Sequence, residues 1–543
     1  MAEGRGGRRP WGLARWVGLA ALYLLFNAAT QLAASPTANF DQAEMLVLVQ
    51  ELRLGYTAQP PLYVWLNWLP DAIAGPSLAL NLALKCLLMA ASVAFSLAAL
   101  RDAGEARRQA PLVLAGFALI PVVIWESQRV LTHSALAVAL VLAVLWQAQR
   151  LRAAPTRRGY LAWGLLGGAA LIAKYNTAIA LAALAGALLL APGWRVLLLT
   201  PRLAWAALGA ALAVLPHFAW LALNGSAVGS TVRKLERSAD PFGFVKGLAE
   251  LSGALAACVG VMGLVWISVL ALRTVRRACA GGGDAGRGET LVPPAVAGPP
   301  VAAPSAVSSS AVSSSAVSSS AAALHRLVSL QLALGLALTA AFVVVSGSRH
   351  FEERWLLPVL APLPLWLALA VRRCDLRRGM LATGAAMALA AALMLPGRVL
   401  FAGHLARGKP AVVSLPYVAL AADMRAAHGE PAAILADTQT LGGNLRLVFP
   451  RARILVPGVT RHEAPAAGAL WAVYEDSDCE GRPLTERVDE QRLLPAPGVP
   501  CTVHEAPLLH LPGRSHRLHL QVLGGAGAAA PGALSGTPPS GGR

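Results

Sequence analysis

Apolar segments of roughly the length of a membrane span recur along the chain, separated by shorter polar connections. Each lies near the roughly 20 residues that an α-helix needs to cross a bilayer. We identify eleven of them, at 16–33, 77–100, 110–125, 131–148, 160–172, 177–192, 203–223, 247–272, 327–346, 355–371 and 379–396. The fifth and sixth are short enough to be half-helices that meet at residues 174–176. The pattern predicts a polytopic α-helical membrane protein with about eleven transmembrane helices.

The composition supports this prediction. Hydrophobic residues make up 56% of the 543 residues and charged residues only 14%, which is too apolar for one soluble domain. The net charge of +18 could suggest a nucleic-acid partner. In a membrane protein it is better explained by arginines that keep cytoplasmic loops inside the cell. We therefore expect the lipid bilayer as a partner and no nucleic acid.

Basic residues are concentrated in every second loop, which predicts the orientation of the chain. They cluster in the N-terminal tail 1–15 and in the loops around 101–108, 150–158, 195–202, 273–326 and 372–378. The outer loops are poorer in them, except for 224–246. The positive-inside rule then places the N-terminus in the cytoplasm and, after eleven spans, the C-terminus outside. The first apolar run is long enough to remain as a span, and we identify no cleavable signal peptide.

Within the transmembrane domain 16–396, residues 281–323 are rich in Gly, Pro and Ser and contain three Ala-Val-Ser-Ser-Ser copies. This composition predicts a disordered cytoplasmic linker. After it, residues 397–523 predict a small extracytoplasmic α/β domain, with a helix at 416–428 and strands at 433–437, 453–456 and 470–474. Residues 524–543 are expected to be a disordered tail.

Cys479 and Cys501 are the two cysteines predicted to lie outside the cell. An oxidising compartment permits a disulfide between them. Closing a loop of that size would stabilise the domain by about 3 kcal/mol.

Several polar residues inside or beside the spans lie on the predicted outer face. Placing a polar side chain at membrane depth costs free energy, so these residues are functional candidates. Asp41 and Glu44 open the outer loop 34–76, and their i, i+3 spacing places both on one face of a helix. Lys174 lies between two apolar runs, where anchoring explains it poorly. Arg129 and Arg354 have an equally good explanation as side chains that reach the lipid headgroups. His217 is more often a packed histidine than a ligand.

The start of this outer loop resembles a known family. Asp41-x-x-Glu44, followed by the Leu-Gly-Tyr-x-x-Gln-Pro-Pro-Leu-Tyr segment of residues 54–63, is similar to the first outer loop of family 39 glycosyltransferases. Further blocks resemble this family in the expected order: RVLTHS at 129–134, AKYN at 173–176, PHFAW at 216–220, RWLLP at 354–358 and GGNLRL at 442–447. The resemblance implies a GT-C fold and a polyprenyl-phosphate-linked monosaccharide donor. It also implies transfer to an envelope lipid, glycan or protein on the outer face of the membrane.

For such a reaction the resemblance also implies roles for individual residues. Lys174, Arg129 and Arg354 would stabilise the negative charge that grows on the donor phosphate. Asp41 would be the general base that accepts the acceptor's proton, with inversion at the anomeric carbon. Glu44 would orient the acceptor or hold the loop. Further substrate-binding candidates are Gln59, Tyr63, Tyr175, Asn176 and His217, and the rings of Tyr63 and Trp65 are expected at the membrane interface.

Two positions depart from the family pattern. Gln42 stands where many relatives have Glu, and Ala58-Gln59 replaces an acidic-basic or Asp-His pair. A carboxylate at the second position serves a metal in some relatives, so a divalent metal is possible here but is not indicated. No other cofactor is expected.

Two other classes of protein compete with the enzyme. A transporter or flippase of a lipid-linked sugar would suit the membrane region, but we find no paired halves or internal repeat. A noncatalytic membrane scaffold that binds a partner through its exported domain would also fit the composition.

Overall fold

The computed structural model describes residues 12–56, 59–126, 131–224, 242–281, 309–371, 374–400, 410–460, 468–475, 498–511 and 513–524. The described helices are α1 Leu13–Ala34, α2 Phe40–Leu48, α3 Leu62–Ala74, α4 Leu78–Asp102, α5 Ala106–Ala118, α6 Pro121–Glu126, α7 His133–Ala153, α8 Arg157–Leu171, α9 Thr177–Leu190, α10 Leu203–Leu223, α11 Gly243–Gly281, α12 Ser309–Ser346, α13 Leu357–Leu360, α14 Leu363–Ala370, α15 Cys374–Leu400, α16 Tyr417–His428 and α17 Gln439–Val448. Short 3₁₀ turns cover Arg195–Leu197, Glu353–Trp355 and Val412–Ser414.

Seven of the described helices are long and apolar enough to cross a membrane, by length and composition. They are α1, α4, α7 and α10, together with the apolar parts of α11, α12 and α15. The four other predicted spans are also helical, but they are short or broken. The segment 110–125 is divided between α5 and α6, with Pro121 opening the second helix. The segment 355–371 is likewise divided near Pro362, where the helix is interrupted because proline has no backbone N–H to donate.

The predicted disorder of 281–323 is wrong for its last part. Helix α12 begins at Ser309, near the end of the first serine-rich copy, and runs through the other two. Ala321 and Leu324 are fully buried and anchor the helix downstream of the serines. Once such a helix is nucleated, each further residue adds a hydrogen bond at little cost, so Ala and Ser can extend it. The stretch 282–308 and the predicted tail from 525 lie outside the described residues.

The chain divides into two compact units. The helical unit comprises Met1–Asn27, Thr57–Leu62 and Lys85–Leu393. The mixed unit comprises Ala28–Tyr56, Tyr63–Leu84 and Met394–Arg543. Most of the outer loop therefore groups with the C-terminal domain, whereas the sequence analysis placed it in the transmembrane domain. The reason is burial: Val47 of α2 is fully buried in the same core as Leu441 and Trp471.

The mixed unit contains a five-stranded sheet of β1 Ala433–Ala436, β2 Arg453–Leu455, β3 Leu470–Tyr474, β4 Cys501–Pro507 and β5 Ser515–Gly524. Its strand order is β2-β1-β3-β5-β4. Strand β1 is parallel to both β2 and β3, and β5 runs antiparallel to β3 and β4. The first three strands and α16 match the predicted elements. Strands β4 and β5 were not predicted.

Cys501 at the start of β4 is disulfide-bonded. Cys479 lies outside the described residues. The pairing of these two cysteines therefore stays a prediction.

Candidate active site

Lys174 lies in the turn between α8 and α9 and is 9% exposed. Its ammonium group donates to Ser134 Oγ at 2.7 Å and to the backbone oxygen of Arg354 at 3.3 Å. Thr177 Oγ1 donates to the Lys174 carbonyl at 2.7 Å and so closes the turn. These contacts fix the position of the ammonium group, which could also donate a charge-assisted hydrogen bond to an anionic ligand.

Two further hydrogen bonds fix this turn against its neighbours. His133 Nδ1 lies 3.2 Å from the Ala173 oxygen, and Asn176 Nδ2 donates to the Trp355 oxygen at 2.6 Å. The start of α7, the 172–176 turn and the 353–355 turn therefore meet around Lys174. These are three of the blocks that resemble family 39. The structure brings them together although Lys174 and Arg354 lie 180 residues apart in sequence.

The guanidinium of Arg354 forms an ion pair with Glu352, and it is partly exposed. Burial opposes the charge of Glu352, but the hydrogen bond and charge of Arg354, with His350, hold the pKa of that carboxyl below its usual value. His350 Nδ1 also lies 3.2 Å from Glu250 Oε2. Arg354 thus reaches Lys174 through its backbone, a contact that the sequence did not predict. Arg129 lies outside the described residues, and its role stays a prediction.

Tyr175 and His217 belong to an aromatic stack beside the Lys174 turn. Tyr175 Oη and His217 Nε2 are 2.9 Å apart, and the two rings stack with centroids 6.0 Å apart. His217 also stacks against Trp220, with centroids 6.1 Å apart. His217 is fully buried. The structure therefore joins two of the predicted substrate-binding residues, and their roles in binding stay predictions.

An apolar cavity of about 440 Å³ lies in the same helical unit. Its walls come from α1, α4, α5, α6, α7 and α15, with side chains such as Met89, Leu114, Phe117 and Leu381. Ser134, which accepts the hydrogen bond from Lys174, also lines this cavity. A buried cation thus lies next to a space that suits a hydrocarbon chain. Sequence analysis missed Ser134 as a candidate, although it is part of the RVLTHS block.

In the mixed unit, Asp41 and Glu44 both lie on α2, as their spacing predicts. Asn39 caps this helix: its Oδ1 accepts from Gln42 N at 3.3 Å, and Gln42 Oε1 accepts from Asn39 N at 3.1 Å. This reciprocal capping box needs Gln or Glu at the third helical position, which accounts for Gln42. Asp41 lies in the first turn and is 8% exposed, where a carboxylate is favoured by the helix dipole. Glu44 is half-buried.

The expected position of Tyr63 at the membrane interface stays a prediction. Tyr63 is fully buried, because α3 turns its ring into the protein. Trp65 is half-buried, and its Nε1 donates to the Arg53 oxygen at 2.6 Å. Gln59 is half-buried ahead of Pro60. Over the part of the chain that the structure describes, no group of three or more His, Cys, Asp or Glu residues could hold a metal ion.

Comparison with solved structures identifies the fold. The structure matches ArnT from Cupriavidus metallidurans bound to undecaprenyl phosphate with a TM-score of 0.53 and 14% identity, over 94% of this chain and 98% of ArnT. The apo form of the same protein matches with a TM-score of 0.52 and 15% identity, over the same shares. The chain therefore has the GT-C fold of a multi-pass membrane protein, as predicted.

Sequence comparison then identifies more particular relatives. The chain is 29% identical to the lipopolysaccharide core galacturonosyltransferase RgtB of Rhizobium johnstonii, over 81% of this chain and 82% of RgtB. It is 26% identical to RgtA of the same organism, over 82% of this chain and 83% of RgtA. No model of a known protein family matches the chain. These likenesses confirm the predicted class, a membrane glycosyltransferase, and do not favour the transporter alternative. The narrower resemblance to family 39 stays a prediction.

Proposed function

We propose that this protein transfers a monosaccharide from a polyprenyl-phosphate donor to lipopolysaccharide on the outer face of the inner membrane. The observation that carries the proposal is the Lys174 ammonium, held 2.7 Å from Ser134 at the wall of the apolar cavity. A cation beside an apolar space matches a ligand that joins a phosphate to an isoprenoid chain. The printed names of the relatives and of the ArnT complex support the acceptor and the lipid carrier respectively.

In this proposal the donor phosphate binds at Lys174, with Arg129 and Arg354 contributing further positive charge. The isoprenoid chain occupies the apolar cavity. Asn176 and Tyr175 hold the turn that carries Lys174, through the Trp355 oxygen and His217. Gln59 and the buried ring of Tyr63 remain candidates for sugar or acceptor binding.

The chemistry follows from the leaving group. The acceptor hydroxyl gives its proton to Asp41 and attacks the anomeric carbon, while the bond from that carbon to the phosphate oxygen breaks. The polyprenyl phosphate leaves with the bonding electrons, and Lys174 stabilises the charge that develops on it. Direct attack inverts the anomeric configuration. Glu44, one turn along α2, orients the acceptor.

The orientation of the chain is part of the same proposal. The distribution of arginines supports a cytoplasmic N-terminus and an extracytoplasmic C-terminal domain. Such an orientation would place the outer loop and the C-terminal domain on the side of the membrane where lipopolysaccharide acceptors are exposed.

A transfer assay with purified protein tests the proposal. Labelled polyprenyl-phosphate sugars are offered with lipopolysaccharide, starting with galacturonic acid because of the relatives' names. We expect label in lipopolysaccharide with the wild type and almost none with Asp41→Asn. Label that crosses the bilayer of a proteoliposome without forming product would instead indicate a flippase. No product with any donor would contradict the proposal.

A further inference from the structure

Helix α2, which carries Asp41, is packed directly against helix α17 of the C-terminal domain. A Cβ atom at Gly443 would lie 2.3 Å from the Ala43 oxygen, so only glycine allows the two backbones to approach this closely. Leu447 packs beside Ala43 and Leu46 in a small apolar cluster. The Gly-Gly-Asn-Leu-Arg-Leu segment is therefore a contact surface for the outer loop.

Asn444 fixes the start of α2. Its Oδ1 accepts from Ala38 N at 2.7 Å, and its Nδ2 donates to the Ala38 oxygen at 3.0 Å. Asn444 is 1% exposed, so both bonds are shielded from water. Ala38 directly precedes the capping residue Asn39, and Asp41 follows two residues after the cap. A side-chain amide that bonds both backbone groups of one residue sets the position and the orientation of the backbone there.

Arg446 fixes the other end of α2. Its guanidinium donates to the Leu46 oxygen at 2.5 Å and to Asp71 Oδ2 of α3 at 2.7 Å. Both charged side chains of this pair are nearly buried, at 9% and 12% exposed. The planar guanidinium of Arg446 thus joins the C-terminal domain to two helices of the outer loop. The single ammonium group of a lysine could not make both contacts in this geometry.

Gln50, just beyond the end of α2, is held by the edge of the sheet. Its Nε2 donates to the Ile454 oxygen at 3.0 Å, and its Oε1 accepts from Ile454 N at 2.9 Å. Helix α2 is therefore held at its start, along one face and just past its end. A separate binding module joined by a linker would not make such contacts.

We propose that the C-terminal α/β domain is a working part of the active site, in which Asn444 and Arg446 are positioning residues for Asp41. The inference rests on the proposed function, because Asp41 matters to the rate only if it is the base. In this proposal the GGNLRL segment positions α2, a role that does not require the segment to bind the acceptor. Displacement of a catalytic group by about 1 Å can reduce a rate by about 100-fold.

The first test compares Asn444→Ala with Tyr474→Phe in the full-length protein. Tyr474→Phe is the matched control: it removes a buried hydrogen bond to Gln521 in the same domain, between β3 and β5. For Asn444→Ala we expect kcat to fall by about 10- to 100-fold with the donor KM unchanged. The control should keep its kcat. An equal loss of kcat in both variants would overturn the inference, since it would reflect general destabilisation.

A double substitution tests whether Asn444 acts through Asp41. If it does, Asn444→Ala should cost little further rate once Asp41→Asn has removed the base, because the effects of coupled groups are not additive. Fully additive losses would overturn the inference. If Asn444→Ala does not fold, Arg446→Lys replaces it in both experiments. Lysine keeps the positive charge but lacks the planar guanidinium that donates to the Leu46 oxygen and to Asp71.

Hydrogen exchange separates this inference from the proposed function. The amides of residues 42–48 should exchange faster in Asn444→Ala than in the wild type, and should be unchanged in Tyr474→Phe. The exchange measurement does not depend on enzyme activity. If the wild type transferred none of the sugars tested, that result would contradict the proposed function but not the positioning of α2 by Asn444. Unchanged exchange in α2 would overturn the positioning role.

Discussion

Removing the charge of Lys174 is the most direct test of the donor site, and Lys174→Met does so while keeping a long unbranched side chain. Lys174 is 9% exposed and its ammonium donates to Ser134 Oγ and to the Arg354 oxygen, so water screens its charge little. The nearby Arg354 guanidinium is already paired with Glu352, so it cannot fully replace the lost charge.

The expected magnitude follows from this geometry. Removing one preorganised donor to a developing oxyanion typically costs about 100- to 1,000-fold in kcat, or about 2.7–4 kcal/mol. We expect a loss in that range for Lys174→Met. Leaving Ser134 Oγ and the Arg354 oxygen without their partner should lower the free energy of unfolding by about 1–3 kcal/mol. The rate loss should therefore exceed the loss of stability.

The assay measures kcat and KM for the donor, together with inhibition by free polyprenyl phosphate. Both the rate and the affinity for this inhibitor should fall, because each depends on the phosphate. Ser134→Ala keeps the ammonium and removes one of its acceptors, so its effect should be smaller. Lys246→Met is the matched control, since Lys246 is exposed and lies 3.9 Å from Glu250. A normal rate and normal inhibition in Lys174→Met, in folded protein, would refute the phosphate site.

Three further predictions concern the base, the disulfide and the orientation. Asp41→Asn should lower turnover by about 100- to 10,000-fold and keep donor binding, whereas Glu44→Gln should cost less; the reverse order would exchange their roles. Mass mapping of membrane-extracted protein should find Cys479 linked to Cys501, and two free thiols would contradict the pairing. A Ser314→Cys variant should react with an impermeant thiol reagent only from the cytoplasmic side, and labelling from outside would contradict the eleven-span topology.

Some features of this protein could be predicted from the sequence because they depend on local pattern. The length of each apolar run predicted the helices, and Lys174 was identified because an isolated lysine between apolar runs is costly in a membrane. The short strands at 433–437 and 470–474 were predicted from short, mostly apolar runs. The i, i+3 spacing of Asp41 and Glu44 predicted that they share one face if the segment is helical, and the segment is the helix α2.

Other features depended on contacts between distant parts of the chain. Asn444 bonds Ala38 across 406 residues, and no periodic pattern predicts which backbone group a buried amide will reach. The sequence did not predict that the Arg354 carbonyl accepts from Lys174, or that the Arg354 side chain pairs with Glu352. The serine-rich segment from 309 is helical because downstream residues such as Leu324 are buried. Partner choice for buried polar groups is set by which donors and acceptors the packed fold places within reach, and only the tertiary structure decides that.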